Sequence, residues 1–156
     1  MKTPVSGQLK IIDKEKGKVA IVDKPSSGFI SQLTGIVHDV TTESVQLQIS
    51  GLEILGKEGR GHPVYGKIFF LPPDTDVLNL NIDIEDCILV VKHAESSVVA
   101  KADTLGAVAI IAESLELPDF TLPYLTVTDI SALSRYNEKI VVVYGNEKQL
   151  LIVGND

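Results

Sequence analysis

The spacing of hydrophobic positions changes character part-way along the chain. Up to about residue 71 the apolar residues come in short runs: Gln8–Ile12, Lys18–Val22, Gly28–Leu33, Gly35–Thr41, Ser44–Ile49 and Val64–Leu71. The runs are rich in Val and Ile and bounded by Gly, Pro, Ser and Asp, the pattern of short strands. In Val45-Gln46-Leu47-Gln48-Ile49 apolar and polar residues alternate strictly, which predicts a sheet with one wet face. Lys14-Glu15-Lys16-Gly17 ends on glycine and reads as a hairpin turn. No stretch in this part has a helical period. Many short strands at close spacing predict a small barrel or sandwich.

After residue 71 the pattern is different. Asp86–Lys92 contains an unbroken apolar run, as in a strand covered on both faces. Ala94–Leu105 has helical spacing, with Val98, Ala102 and Leu105 at i, i+4 and i+7, and Gly106 stands where a C-terminal cap belongs. Ser96 reads as the cap at its start. A second buried strand is predicted over Ala107–Ala112 and a third over Tyr124–Val127. Asp129 then reads as the N-cap of a short helix running to Tyr136. Lys139–Tyr144 and Gln149–Val153 are predicted strands, joined as a hairpin by Gly145-Asn146-Glu147-Lys148. The order β-α-β-β-α-β-β predicts a small α/β layer with a mainly parallel core.

Pro72 and Pro73 fall at the change of pattern and favour a linker there. Charge changes at the same place. Residues 1–71 carry nine basic and seven acidic side chains, a net of +2, and residues 72–156 carry five and 14, a net of −9. The predicted organisation is therefore two lobes, 1–71 and 72–156. The predicted fold class is α+β, a small β-barrel or sandwich followed by an α/β layer, which the resemblances given next imply to be a barrel-sandwich and a swivelling-type layer.

Two resemblances accompany that organisation. Thr3-Pro4-Val5-Ser6-Gly7-Gln8-Leu9, with Ser27-Gly28-Phe29 and Thr34-Gly35-Ile36-Val37, resembles the turns of a lipoyl/biotinyl-type barrel. Such carriers present a modified lysine, flanked by methionines in the biotinyl case. Here the single methionine is Met1, and Lys16 sits in an ordinary Glu-Lys-Gly turn. The resemblance therefore implies the fold and not the carrier function. Lys101–Ile111, with Leu122-Pro123-Tyr124-Leu125-Thr126-Val127, resembles the swivelling β/β/α domains, among them phosphohistidine and protease-associated domains, across residues 86–144. No histidine follows His93, so the phosphohistidine role is not implied. The protease-associated type of role, an interaction module, is.

Composition narrows the functions. The chain of 156 residues is 44% hydrophobic and carries a formal charge of −7, so it reads as globular rather than disordered. One cysteine, Cys87, leaves no disulfide framework, and one Cys with three scattered His makes no zinc site. No signal-like N-terminus and no apolar run of ~18–20 residues is present, so a cytoplasmic protein without a membrane span is expected. The acidity argues against nucleic-acid binding. No cofactor motif appears.

The richest local chemistry is Gly56-Lys57-Glu58-Gly59-Arg60-Gly61-His62-Pro63. Glycines can aim several backbone N–H groups at an anion, and Lys57, Arg60 and His62 add charge and hydrogen bonding. Lys57, Gly59, Arg60, Gly61 and His62 are the candidate ligand residues. The alternative use of those glycines is in turns. His93, Glu95, Ser96 and Ser97 cluster in sequence without a nucleophile-elbow pattern, and His38-Asp39 lies in a strand-like stretch. No catalytic residue is assigned. Cys87 reads as a small core residue. Asp74, Asp76, Asp83, Glu85 and Asp86 read as a solvated acidic segment without calcium-loop spacing. The expected function is a non-enzymatic binding or assembly module, with a protein partner or its own copies. The alternative is a small-anion-binding protein or enzyme using residues 56–62 near the lobe junction.

Overall fold

A computed structural model describes residues 7–13, 18–23, 33, 35–42, 44–76, 83–116 and 121–154, with backbone alone for 7–13 and 18–23. The predicted strand at 28–33 (apart from Leu33) and the turn at 14–17 lie outside these residues. The chain is mixed and strand-rich, and divides into two compact units, residues 1–52 with 153–156, and residues 53–152.

In the first unit, β1 (Gly7–Asp13), β2 (Lys18–Asp23), β3 (Ile36–Val40) and β4 (Ser44–Gln48) form a sheet in the order β1-β2-β4-β3. Every pairing is antiparallel. Val45, Leu47 and Ile49 are buried while Gln48 is exposed, as the alternation predicts. Between β3 and β4 the register slips at Val37/Asp39, a bulge that leaves His38 without a pair. The Asp39 carboxylate then accepts the Val40 N–H at 2.9 Å.

The second unit holds most of β5 (Gly51–Leu55), then β6 (Glu58–Arg60), β7 (Val64–Phe70), β8 (Cys87–Ala94), β9 (Ala109–Leu115), β10 (Tyr124–Thr126), β11 (Ile140–Tyr144) and β12 (Gln149–Val153). The sheet order is β5-β12-β11-β7-β8-β9-β10-β6. β7, β8, β9 and β10 are mutually parallel, while β11 is antiparallel to β7 and β12, and β6 to β10. The first and last strands of this sheet, β5 and β6, are consecutive in the chain. Two residues join them: the Gly56 N–H donates to Lys148 O at 2.8 Å, and the Lys57 N–H to Thr126 O at 2.7 Å. Opposite edges of the sheet are thereby bridged.

Apolar side chains fill both faces. Ile88, Val90, Ala109, Ile111, Leu125, Val141, Val143, Leu150 and Ile152 form one cluster, completed by Leu133 and Tyr136 from a 3-10 helix, Ser131–Tyr136. Leu89, Val91, Ile110 and Ala112, on the alternate positions, pack with Val98, Val99 and Ala102 of α1 (Ser96–Thr104). Burial on both faces is why β8 and β9 lack alternation. Gly106, at φ +84°, ends α1. Its N–H reaches Asp103 O and the Ala107 N–H reaches Ala102 O, both at 3.0 Å. That pair of bonds is the Schellman closure expected of a glycine there.

Three expectations are corrected. The division falls at residue 52, not at 71. Pro72 and Pro73 do not separate units: the Thr75 N–H closes a turn on Pro72 O, and β7 before them pairs in parallel with β8 beyond. Ser96 does not cap α1. Glu95 holds the cap position, and the Ser96 N–H and hydroxyl both donate to Glu116 Oε2, at 3.3 and 3.2 Å. The short second helix is 3-10. Asp129 does receive the Ser131 N–H at 2.8 Å and the Ser131 hydroxyl, just ahead of it.

Candidate functional site

The glycine-rich stretch makes the bridge between the sheet edges. Gly56 sits where a Cβ would collide with Leu125 and Thr126 O. A Cβ on Gly59 would strike the Gly145 carbonyl oxygen, and one on Gly145 would strike the carbonyl of Arg60. Gly61, at φ +109°, lies against Pro123, whose Cβ would be 2.7 Å from an added Cβ. The backbone donors are committed as well. Besides Gly56 and Lys57, the Glu58 N–H donates to Thr126 Oγ1 at 3.0 Å and the Gly61 N–H to Asn146 Oδ1 at 3.0 Å, with the Asn146 N–H returning to Gly61 O at 3.2 Å. A cradle of free N–H groups requires donors that these bonds have used. Close backbone approach accounts for the glycines.

The candidate side chains go to different places. Arg60 lies over the Tyr124 ring, 5.6 Å from its centroid, a cation–π arrangement. His62 is exposed. Lys57 lines a cavity, with its Nζ 3.5 Å from Glu113 O.

That cavity, about 280 Å³, is bounded by Lys57, Glu58, Glu113, Ser114, Leu115 and Thr126. A second one, about 230 Å³, is bounded by His93, Ala94, Glu95, Ser114, Leu115 and Glu116. They share Ser114 and Leu115, so together they form a groove across the carboxyl ends of β8, β9 and β10. Strand ends of this kind are where parallel sheets usually bind ligands. His93 and Ser114 are paired across β8 and β9, with His93 Nδ1 2.6 Å from Ser114 Oγ. Sequence proximity pointed to Ser96 beside His93; the fold brings Ser114 there instead. Both side chains of the pair are exposed. Glu113 Oε1 accepts the Ile130 N–H at 3.1 Å, and Glu116 is occupied at α1. Both of those carboxylates therefore hold structure in place.

Glu113, Ser114 and Thr126 were not singled out from the sequence. A usable signal existed: they are among the first polar residues after the apolar runs 107–112 and 124–125, where the ends of parallel strands gather.

Elsewhere, burial pushes the Cys87 thiol up, and Asp83 adds to that, as suits a packed and unreactive cysteine. Asp74, Asp76, Asp83, Glu85 and Asp86 are exposed. No group of three or more metal-ligating side chains occurs among the described residues. No helix among them is long and apolar enough to cross a membrane.

No protein-family model matches the chain, and no curated protein matches it. A solution NMR structure of a UPF0107 protein aligns with a TM-score of 0.47 and 15% identity, covering 66% of this chain and 100% of that one.

Proposed function

We propose that the chain is a non-enzymatic binding module that assembles with its own copies or with another protein. The observation that carries this reading is β3. It is an outer strand of the four-stranded sheet as described, and Ile36 and Val40 on it are 72% and 61% exposed. β-Branched side chains on an outer strand are what a partner sheet or loop packs against. The bulge and the Asp39–Val40 bond interrupt the ladder there, so the contact is made by side chains rather than by adding a strand. Native mass spectrometry across a concentration series tests this. A defined oligomer is expected, and Ile36→Lys with Val40→Lys should reduce it to monomer without changing the thermal midpoint. A wild-type protein that stays monomeric and retains nothing in a pull-down removes the reading.

The same reading takes residues 86–144 as a swivelling-type layer and the first lobe as a small barrel or barrel-sandwich. The succession β8-α1-β9 with its glycine closure supports the former. A cytoplasmic setting accords with the lone cysteine.

A second reading, a small-anion site, has Lys57 in its favour, since Lys57 and Ser114 line the same cavity. Under it Lys57→Ala abolishes anion binding and Arg60→Ala does not, because Arg60 is occupied over Tyr124. The reverse result would return the site to Arg60.

A further inference from the structure

The charge around Lys57 is of both signs. Its ammonium has one carbonyl neighbour, Glu113 O at 3.5 Å, which leaves two protons to donate. Glu58, next in sequence and lining the same cavity, has its backbone N–H and carbonyl engaged with Thr126, while its carboxylate makes no hydrogen bond among the described residues. Glu113 also lines the cavity but is held by Ile130. Of the residues that line the cavity, one is basic and two are acidic. The surrounding unit, residues 53–152, has eight basic and 15 acidic residues, a net of −7. A simple anion reaching Lys57 therefore meets repulsion from Glu58, Glu113 and the wider field. A simple cation reaching Glu58 meets Lys57. A ligand with both charges a few bonds apart satisfies both.

We propose that this groove binds a small zwitterion of the free α-amino-acid class. The ligand carboxylate lies on Lys57 Nζ and its ammonium on the Glu58 carboxylate. The Ser114 hydroxyl, oriented by His93 Nδ1 at 2.6 Å, supplies a further hydrogen bond. At about 280 Å³ the cavity is at or below the usual range for drug-sized ligands, about 300–1,000 Å³, which suits a ligand of a few heavy atoms. The side chain of the amino acid would lie toward Leu115 and the adjoining space beside His93. The proposal rests on the second reading, that Lys57 is a ligand contact, and changes the chemistry of what it contacts.

The test is a titration of the ¹⁵N-labelled full chain with L-alanine, succinate and putrescine in parallel, followed by amide chemical shifts. L-Alanine should move the amides of Glu58, Ser114, Leu115 and Thr126 and saturate at roughly 1 mM or above. Lys57→Ala and Glu58→Gln should each weaken it at least tenfold. Both side chains are exposed, so the thermal midpoints of the variants should match the wild type, separating lost binding from lost fold. Saturable succinate shifts at the same amides with none from L-alanine would overturn the zwitterion and leave the anion reading standing. Putrescine shifts alone at those amides would overturn both in favour of a cation site. L-Alanine shifts that persist in both variants would place binding elsewhere and overturn the proposal. No shift with any of the three would remove the proposal and the anion reading together.

Discussion

The two units of this chain are built by opposite means. The unit of residues 1–52 and 153–156 has six basic and six acidic side chains, a net of zero, while residues 53–152 carry the whole excess of −7. The described sheet of the first is entirely antiparallel, and β1–β2 and β3–β4 join neighbours in sequence. The second gathers strands from far along the chain, setting β6 beside β10 and β7 beside β11. Its charge lies outside while β8 and β9 are apolar on both faces. A sheet assembled from local hairpins needs little beyond alternation and turns. A sheet whose edges must be bridged needs positions where two backbones touch, and the second unit supplies these with glycine.

The largest predicted effect follows from that bridge. Gly145→Ala places a methyl against the Arg60 carbonyl, and Gly59→Ala places one against the Gly145 carbonyl. Backbone cannot swing aside as a flexible side chain can, so each should cost roughly 3 kcal/mol or more. Gly154→Ala is the control, since nothing lies within 4 Å of its added Cβ and only its φ of +113° opposes the change. Chemical denaturation should show the difference. Hydrogen exchange should quicken mainly in β6, β10, β11 and β12. Equal quickening in β1–β4 would break the comparison by making the two units one cooperative body.

Next in size are core truncations. Ile110 and Leu47 are 0% and 1% exposed, and either change to Ala should cost about 2–5 kcal/mol. Ile110 lies in a parallel strand with neighbours on β8 and β10, so the cavity it leaves has little freedom to collapse. Ile110→Ala should fall in the upper half of that range and Leu47→Ala in the lower, read from denaturation midpoints at constant m-value. Equal losses would show that strand direction does not decide how a site relaxes.

How much of this was legible in the sequence depends on the range of the interaction. The apolar runs at 86–92 and 107–112, the turn at 145–148 and the cap at Gly106 are local, and each was readable from residue type and spacing. β5 and β6 were not. Glu58-Gly59-Arg60 has no strand character of its own; it is extended because Thr126, Asn146 and Gly145 hold it from 68 to 86 residues away. The same distance hid the reason for the glycines, which resembled an anion cradle while serving a backbone contact. The boundary was misplaced because charge and proline report on surfaces and turns, whereas units are defined by packing. In the candidate groove, Lys57 was visible through its motif. Ser114 and Thr126 were signalled only as polar residues closing apolar runs; that they line one cavity follows from β9 and β10 lying side by side.

Alkaline pH should distinguish the units next. Burial, with Glu53 nearby, pushes the Tyr144 phenol from 10.0 up to about 12. Its neutral form is therefore favoured in the folded state. That contribution is complete below pH 10 and is lost as pH rises toward 12. Denaturation between those values should show a loss of stability that Tyr144→Phe lessens, with phenolate absorbance marking the titration. An unchanged slope in the variant would assign the loss elsewhere.

The smallest effect concerns the turn that Gly145 opens. Lys148 closes it, its N–H 3.1 Å from Gly145 O, and sits at φ +59°. That left-handed conformation costs a lysine roughly 1–2 kcal/mol. Glycine would relieve the strain but, being freer when unfolded, would return roughly 0.5–1 kcal/mol of it. Lys148→Gly should thus stabilise by at most about 1.5 kcal/mol, a rise of a few degrees in the thermal midpoint. Asp86 and Glu138, at φ +59° and +67°, pose the same test in the same unit. Lys148 differs from them in sharing its turn with Gly145, and its side chain is exposed. A stabilised Lys148→Gly beside a destabilised Gly145→Ala would separate the two uses of glycine within one turn, conformation at its last residue and close approach at its first.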